Sequence, residues 1–347
     1  MLIGKVMKKI LMIFCFCLSV SALSLIRWNN NQDITLVAAG DILMDRGVRR
    51  CMEKYGYNYP YLSVQEYFQK GDLSFANLES PLTSGGSAVL KDRALIFKGD
   101  IENGSFLKNA GFNILNLANN HTLDYGPEGL MDTLQILKEN GIRTLGAGLN
   151  AQEARQPVFT NIKGVTIGFL GYSQFPPEGY LHFSDRPEVA RIDPKLMPAE
   201  ISKAKESCDF LVVSFHWGKE YDFYPSELQR TLARLAVDSG ADLILGHHPH
   251  VLQGIEQYQG KLIFYSLGNF VFDRQVPYGT DETVMLRVKI SKGQWQEATL
   301  IPVKIIDCQP TPVDDADGER ILKRLQKYSE GYNSTMVIRD GKGLIFP

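Results

Sequence analysis

The chain is poor in cysteine, which excludes one class of protein at once. Only five of its 347 residues are cysteine, and two of them, Cys15 and Cys17, lie in an apolar N-terminal stretch. The other three, Cys51, Cys208 and Cys308, are scattered, so they do not form the disulfide framework that holds small secreted domains together. The fold therefore has to be stabilised by a hydrophobic core and, if one is bound, by a metal.

An excess of charge of one sign is also missing. The 37 basic and 39 acidic residues leave a formal net charge of −2, and no long run of like charge occurs. Nucleic-acid-binding proteins usually carry a basic patch or stripe, so we expect no nucleic-acid partner. The composition is that of an ordinary globular protein, with 44% hydrophobic and 22% charged residues. Internal repeats and low-complexity segments are absent.

One uninterrupted hydrophobic run stands at the N-terminus. Lys5, Lys8 and Lys9 precede an apolar stretch at residues 10–26. A positive segment followed by an apolar one is typical of a secretory signal peptide. No clean Ala-x-Ala cleavage site follows, and the run could also remain as a membrane anchor. We therefore expect residues 1–28 to be a signal peptide or N-terminal anchor, and the rest to be exported, either membrane-anchored or secreted.

After residue 33, strand-like apolar runs alternate with helix-like segments. The predicted strands are 34–39, 73–78, 113–118, 165–172, 210–215, 242–245 and 262–266. The predicted helices are 44–55, 101–110, 126–140, 196–206, 226–239 and 319–329. Residues 283–290 and 296–306 flank Gly293 as two antiparallel strands would. This alternation predicts an α/β architecture completed by antiparallel strands.

Histidine is scarce as well, but its placement is informative. Five of the six histidines fall in three short motifs, each at the end of an apolar run, and two earlier runs end in a carboxylate. The five motifs are 40–41, 77–79, 119–121, 214–218 and 246–250. Open α/β sheets place functional groups at the carboxyl ends of their strands. We therefore predict that these carboxylate, amide and imidazole groups meet as a metal centre at one edge of a sheet.

The spacing suggests roles for individual residues. Asp41 and Glu79 would project from the ends of neighbouring strands, and Glu79 could bridge two cations. His248 and His250, one residue apart, would face the same side of an extended segment and suit one metal or two adjacent metals. His247 faces the other way, so we expect it to lie behind the ligands.

Ordinary alternatives stay open for several of these positions. Asp41 could cap the following helix, and residues 119–120 could form a turn. Trp217 could wall a pocket or pack in the core. Arg46 could bind an anionic group through its forked guanidinium or be a solvated helix residue. Asp45 could supply a further ligand if its segment turns helical.

Six ordered motifs together resemble the bacterial capsule-synthesis protein family, whose best-known members are the CapA-like proteins of poly-γ-glutamate capsule production. They are Gly40-Asp41, Asn77-Leu78-Glu79, Ala118-Asn119-Asn120-His121-x-x-Asp124, His216-Trp217-Gly218, Gly246-His247-His248-Pro249-His250 and Ser266-Leu267-Gly268-Asn269-Phe270. That family is in turn similar to calcineurin-like metallophosphoesterases. The resemblance implies a two-sheet sandwich flanked by helices (α/β/β/α) at residues 33–310, followed by a C-terminal helix and strand extension at 311–347.

The resemblance also implies a site. Its metal ligands would be Asp41, Glu79, Asn120, His216, His248 and His250. His121 would be the catalytic acid, with Asp124 orienting it. Substrate-binding roles are expected for Arg46, Asn77 and Trp217. One or two divalent ions of the Mn, Fe, Zn or Mg class would lower the pKa of a water, which would attack a phosphorus or carbonyl centre.

One departure from the phosphoesterase pattern leaves two functions open. Phosphoesterases usually carry Asp-x-His after the first strand, whereas this chain has Asp41-Ile42-Leu43 and so lacks one histidine. The protein could be an exported metal-dependent hydrolase of capsule synthesis, acting on phosphoesters or amides. It could instead be a non-catalytic subunit that binds polymer. The expected partners are poly-γ-glutamate as the anionic polymer, membrane subunits of the capsule machinery, and the membrane through the N-terminal segment.

Overall fold

The computed structural model describes residues 33–182, 184–273 and 276–347. The N-terminal segment expected to direct export lies outside the described residues. Within these three ranges, no helix is both long and apolar enough to cross a membrane.

Six of the helices match the predicted segments, and two short helices, Gln65–Gln69 and Ala151–Ala154, were not predicted. They are α1 (Arg46–Tyr55), α2 (Gln65–Gln69), α3 (Asn103–Asn109), α4 (Gly126–Glu139), α5 (Ala151–Ala154), α6 (Met197–Lys205), α7 (Glu227–Asp238) and α8 (Ala316–Tyr328). Capping explains where several of them begin. At α7 the Ser226 hydroxyl accepts from the backbone N–H of Gln229, and Oε1 of Gln229 accepts from the backbone N–H of Ser226.

The strands include all of the predicted ones and several short additions. They are β1 (Ile34–Ile42), β2 (Leu73–Leu78), β3 (Ile114–Asn116), β4 (Arg143–Leu145), β5 (Ala147–Gly148), β6 (Val158–Ile162), β7 (Val165–Ser173), β8 (Glu188–Val189), β9 (Phe210–His216), β10 (Leu243–His247), β11 (Ile255–Tyr258), β12 (Lys261–Phe264), β13 (Asn269–Val271), β14 (Glu282–Ser291), β15 (Gln294–Ile306), β16 (Gln309–Pro312), β17 (Val337–Arg339) and β18 (Lys342–Ile345).

Two sheets contain most of these strands. The larger has the order β17-β18-β15-β14-β1-β2-β3-β4, with β13 paired to β1 and β16 paired to β15. Its strands β1 to β4 are mutually parallel, and β14 and β15 are antiparallel to their neighbours. The smaller sheet has the order β11-β12-β10-β9-β7-β6, in which β7, β9, β10 and β12 are parallel. Strands β5 and β8 form a separate pair.

The two sheets pack face to face, with helices on both outer faces. Leu36 and Phe75 of the larger sheet share one buried cluster with Phe169, Val212 and Leu245 of the smaller. Helices α1 to α4 cover the outer face of the larger sheet, and α6 and α7 cover that of the smaller. Each fully buried aliphatic or aromatic side chain contributes about 1.5–3 kcal/mol to the stability. The predicted α/β/β/α sandwich is confirmed.

The C-terminal segment is part of this body. Helix α8 buries Ile321, Leu322 and Leu325 in the cluster between the sheets, together with Ile345 of β18. Strand β18 pairs with β15 and so extends the larger sheet.

The arrangement brings parallel strand ends from both sheets to one edge of the sandwich. The side chains of Asn77, from β2, and His216, from β9, approach to 3.4 Å between Nδ2 and Nδ1. The backbone N–H of His248, just after β10, donates to Asp41 of β1 at 3.2 Å. The five predicted motifs therefore converge at this edge.

Candidate metal centre

Asp41 is placed by a bulge near the end of β1. The register between β1 and β2 shifts just before it. A Cβ on Gly40 would lie 1.9 Å from the carbonyl oxygen of Gly268, so only glycine allows this close approach. The Asp41 carboxylate is fully buried. Its Oδ1 accepts from Asn77 at 2.9 Å and its Oδ2 from the backbone N–H of His248 at 3.2 Å.

Glu79, which follows β2, is a buried carboxylate without a hydrogen-bond partner at either oxygen among the described residues. Burial and then the negative charge of Asp41 raise the pKa of Glu79 well above its usual value. Imidazole nitrogens surround its Oε1: Nε2 of His250 lies at 3.7 Å, and Nε2 of His121 and of His216 each lie at 4.0 Å. A cation among these groups would remove the cost of burying an unpaired carboxylate.

Three histidines reach the centre from the smaller sheet. His216 ends β9, and its Nε2 lies 3.1 Å from Nδ1 of His248 and 2.9 Å from Oδ1 of Asn120. His248 and His250 were expected in an extended segment, but both adopt left-handed backbone, with φ of 94° and 59°. Such conformations cost on the order of 1–3 kcal/mol in a non-glycine residue and cluster at functional sites. These turns, not strand alternation, bring both rings to one centre.

The surroundings keep two of these imidazoles neutral. Burial and then the nearby His248 lower the pKa of His216 well below its usual range. Burial and then His250 lower the pKa of His248 to about 3. At His250, burial is opposed by the charge of Glu79 and by Asp41, and the pKa rises to about 9. Neutral imidazoles keep the lone pairs that a metal ion requires.

The Asp41 carboxylate stays ionised although it is buried. Burial alone would raise its pKa, but the neighbouring His247 and His250 outweigh it, and the pKa of Asp41 falls well below the usual range. The ligand set therefore contains at least one anionic oxygen.

Two groups of ligand atoms share Glu79. One consists of Glu79, His248 and His250, and the other of Asp41, Glu79 and His216, with the atoms of each group within 4.8 Å of one another. The amide oxygen of Asn120 adds a neutral donor beside His216. Imidazole, carboxylate and amide donors fit one or two divalent ions, and Glu79 occupies the position common to both groups. The structure thus brings together all six residues proposed as ligands.

Two predicted residues lie behind the ligands. His247 is fully buried, with Nδ1 at 3.2 Å from Oδ1 of Asp41, a contact that lacks the alignment of a hydrogen bond. Asn77 donates to Asp41 and accepts from Asn116 at 2.9 Å and Asn119 at 3.2 Å. Asn77 was expected to bind substrate. The structure places it under Asp41, where it orients that carboxylate and has no surface for a ligand.

Trp217, also expected to bind substrate, lies in the core. Its ring is fully buried and stacks on Phe215, with centroids 4.4 Å apart, and on Tyr265 at 6.2 Å. Its Nε1–H donates to the Tyr265 carbonyl at 2.9 Å. The hydrogen bond satisfies the indole N–H, and the stacking fills the ring's surroundings. Trp217 is therefore a core residue and does not form a pocket wall.

Arg46 begins α1 at the edge of the centre. Its guanidinium lies 2.5 Å from Asp273 and faces the rings of Phe97 and Phe272, at 4.7 and 5.4 Å from their centroids. The same two rings contact imidazoles of the centre. The solvated-helix alternative therefore does not describe Arg46, whose side chain is only 17% exposed.

The position of the missing histidine is filled by an apolar residue. Leu43 is fully buried against Phe97, Phe272 and Ile305. Asp45 does not replace the lost ligand, because its carboxylate accepts the backbone N–H groups of Arg46 and Lys98, each at 2.7 Å, and caps α1. The centre therefore has one imidazole fewer than the phosphoesterase pattern.

His121 belongs to a buried network beside the ligands. Its Nδ1 lies 3.0 Å from Asp124, and its Nε2 faces Glu79. Asp124 also accepts from the backbone N–H of Phe97 at 2.8 Å and from Lys91 Nζ at 2.6 Å. Burial lowers the pKa of His121, and Asp124 opposes that shift. Lys91 was not predicted, because it lies in a loop whose sequence carries no motif. Only the fold places it beside Asp124.

A cavity of about 500 Å³ opens onto the centre. It is lined by Asn120, Phe175, Glu178, Gly218, Lys219, Glu220, Tyr221 and His248. The Phe175 ring lies 4.4 Å from that of His248. Two candidate ligands therefore form part of a wall that a substrate could reach. Phe175 and Glu178 were not predicted, because they also lie in a loop whose sequence carries no motif.

Comparisons with known proteins agree with the resemblance seen in the sequence. The family described as "Bacterial capsule synthesis protein PGA_cap" matches residues 35–274. Capsule biosynthesis protein CapA of Bacillus anthracis is 35% identical over 313 residues, covering 88% of this chain and 76% of that protein. PGA biosynthesis protein CapA of Bacillus subtilis (strain 168) is 36% identical over 306 residues, covering 87% and 80%.

Solved structures show only distant likeness. A 5'-nucleotidase precursor from Thermus thermophilus aligns with 86% of this chain and 58% of its own, at 14% identity and a TM-score of 0.46. Likeness at this level says nothing about activity. The family match and the two CapA relatives, in contrast, each span most of the chain. The chain belongs to the bacterial capsule synthesis protein family.

Proposed function

We propose that the protein is an exported capsule-synthesis protein whose buried centre binds one or two divalent metal ions and performs a metal-dependent hydrolysis. One observation carries the proposal: both oxygens of the Glu79 carboxylate are buried and unpartnered among the described residues, and Glu79 belongs to both ligand groups. A buried carboxylate with a purely structural role is normally paired or hydrogen-bonded.

Six residues would hold the metal ions. They are Asp41, Glu79, Asn120, His216, His248 and His250. Their mixed nitrogen and oxygen donors suit ions of the Mn, Fe, Zn or Mg class. When bound, such ions supply Lewis-acid stabilisation of negative charge and activation of water.

The chain's own groups would handle the proton and the substrate. Asp124 holds Nδ1 of His121, so that Nε2 faces the centre and can pass a proton to a leaving group. Arg46, whose side chain is 17% exposed at the edge of the centre, would bind an anionic substrate group through its guanidinium. Phe175 and Tyr221 flank the entrance and would limit the access of bulk water.

The names of the relatives favour a substrate in capsule synthesis. Two of them are called a capsule biosynthesis protein and a PGA biosynthesis protein. We propose the anionic polymer poly-γ-glutamate as the partner, with an amide or phosphoester bond as the target. Membrane subunits of the capsule machinery would be further partners, and the N-terminal segment would place the protein at the cell envelope.

A second candidate function is supported by Leu43. Because an apolar side chain fills the position of a metal ligand, the centre could have lost catalysis and kept polymer binding. The protein would then be a non-catalytic accessory subunit of the synthesis and export machinery.

Metal content tests the centre itself. We expect elemental analysis of the purified full-length chain to find one or two tightly bound transition-metal ions, and His248→Ala to lose them. His182→Ala is the matched control, since His182 is half-exposed and lies outside the centre. A well-folded wild type that stays metal-free after incubation with Mn²⁺ and Zn²⁺ would overturn the metal centre.

His121→Ala separates catalysis from binding. If His121 donates a proton, this variant keeps its metal but loses most hydrolysis of phosphodiesters or poly-γ-glutamate, by about 10²–10⁴-fold. Polymer output in cells should fall in parallel. Unchanged output from the His121 variant would make the accessory-subunit function the better one.

A further inference from the structure

Two of the scattered cysteines lie side by side in the fold. Cys51 is on α1, and Cys308 lies in the turn between β15 and β16. Both line one cavity of about 400 Å³, together with Asp273 and Asp307. Cys308 belongs to the buried cluster on the outer face of the larger sheet, and the partly buried Cys51 packs against that cluster. The structure has them as free thiols.

The backbone around Cys308 places its side chain inward at a conformational cost. Ile306 and Gln309 are paired across the hairpin, and the two residues between them, Asp307 and Cys308, have φ of 47° and 66°. Two-residue turns of this kind prefer glycine at the second position, because a side chain is strained there. Cys308 nevertheless occupies it and is only 9% exposed.

The hairpin is fastened next to α1. Gln309 donates through Nε2 to the Tyr59 carbonyl at 2.5 Å and accepts at Oε1 from the Ser63 hydroxyl at 3.1 Å. Tyr59 lies four residues beyond the end of α1, so these bonds hold the turn against the helix that carries Cys51.

The electrostatics agree with direct contact between the two thiols. Burial, followed by a hydrogen bond with Cys51, raises the pKa of Cys308 to about 12. Cys51 is partly exposed, so a reagent can reach it while Cys308 stays covered.

We propose that Cys51 and Cys308 form an intramolecular disulfide when the chain meets a disulfide oxidant. The Cys51 thiolate attacks the oxidant's disulfide, forming a mixed disulfide and releasing one thiol. Cys308 then loses its proton to solvent and displaces the second thiol. Two S–H bonds are thus exchanged for one S–S bond, and the oxidant is reduced to two thiols.

The bond would tie the helix beside the metal centre to the larger sheet. Arg46 starts α1, and its partner Asp273 lines the same cavity as the two cysteines. A cross-link between residues so distant in sequence restricts the unfolded chain and stabilises the fold. It does not depend on metal binding or catalysis, so its test is independent of the proposed function.

Peptide mapping after oxidation tests the proposal. The full-length chain is incubated with excess oxidised glutathione, alkylated, digested and analysed by mass spectrometry without reduction. We expect a cross-linked peptide pair containing Cys51 and Cys308, and a rise in Tm of at least about 3 °C that dithiothreitol reverses. A glutathione adduct on Cys51 without the cross-link, or two thiols that remain alkylatable, would overturn the disulfide.

Matched variants exclude other cysteines and misfolding. Cys208→Ser should behave as wild type, because Cys208 is hydrogen-bonded to the Ala204 carbonyl at 3.3 Å, outside the cavity that Cys51 and Cys308 line. Cys51→Ser and Cys308→Gly should lose both the cross-link and the Tm rise. Glycine suits the φ of 66° at residue 308, so that variant keeps the turn. A Tm rise that persists in either variant would contradict the proposal.

Discussion

Two buried carboxylates show how the metal centre differs from the rest of the molecule. Glu256 is 1% exposed and accepts from Arg234 at 3.0 and 2.7 Å and from the Tyr265 hydroxyl. Glu79 is equally buried, yet neither of its oxygens has a hydrogen-bond partner in the part of the chain that the structure describes. Glu256 is paired and hydrogen-bonded, whereas the nitrogens nearest to Glu79 are imidazole nitrogens at 3.7 to 4.0 Å from its Oε1. The comparison separates a carboxylate that stabilises the fold from one whose surroundings suit a cation.

The same contrast holds for a second structural acid. Asp242 is buried at the end of the smaller sheet and meets Lys205 at 2.7 Å, Lys261 at 2.6 Å and the backbone N–H of Leu211 at 2.8 Å. At the metal centre, Asp41 and Glu79 are surrounded by imidazoles, two of which are kept neutral. Burial is therefore not what distinguishes the centre. Asp242 is paired with two lysines, whereas the nearest charged partners of Glu79 are histidines.

The largest expected effect comes from neutralising Glu79. Glu79→Gln should weaken metal binding by more than about 100-fold, because the loss of a residue that only orients a ligand already costs about 10–100-fold and Glu79 belongs to both ligand groups. The metal-free variant should be at least as stable as metal-free wild type, since it removes a buried carboxyl group whose ionisation burial opposes and whose oxygens have no hydrogen-bond partner among the described residues. Isothermal titration with Mn²⁺ and chemical denaturation measure the two effects. Equal Mn²⁺ affinity in the variant and the wild type would mean that Glu79 is not a metal ligand and does not differ from Glu256 in this respect.

The matched change at Glu256 should act in the opposite way. Glu256→Gln leaves Arg234 without its ion pair and should lower the free energy of unfolding by roughly 1–2 kcal/mol, because the Arg234 side chain is 37% exposed and water can solvate it. Metal content should be unchanged, because this residue lies outside the centre. Urea denaturation and elemental analysis check both statements. Loss of metal together with stability would mean that the two carboxylates are not independent.

A smaller effect is expected at Asn77, which donates a hydrogen bond to the Asp41 carboxylate. Asn77→Ala removes the hydrogen bond to Asp41 and should weaken metal binding by about 10-fold. Asn161→Ala serves as the control, because its amide bonds the Thr166 hydroxyl at the surface, away from the centre. Titration with Mn²⁺ distinguishes this positioning role from the substrate-binding role first expected for Asn77. Unaltered metal affinity with impaired polymer binding would favour the latter.

Much of the architecture could be predicted because its signals are local. The apolar run 73–78 and the segment 226–239 carry their own periodicity and caps, and the structure keeps them as β2 and α7. Because open α/β sheets place functional groups at the carboxyl ends of their strands, the sequence alone predicts Asp41, Glu79 and His216 at one edge. Short strands such as β13 were not predicted, because three residues are too few to show a period.

The side chains that surround the ligands were harder to predict. Asn77 and Trp217 sit inside the right motifs, but their orientation depends on a bulge in β1 and on stacking with distant aromatic residues. Lys91 and Phe175 come from loops whose sequences carry no motif. Cys51 and Cys308 looked unrelated, because the hairpin that brings them together is fastened by contacts far apart in the chain.

The sequence by itself determined the alternation of strands and helices, because periodicity is a property of neighbouring residues. Through six motifs that resemble the capsule synthesis family, it also implied the two-sheet sandwich and the six candidate ligands. Only the tertiary structure decided which side chains form the two ligand groups that contain Glu79. It also decided that neither Leu43 nor Asp45 replaces the missing histidine, and that Cys51 and Cys308 lie together. These facts depend on distances between segments remote in sequence, and only packing fixes such distances.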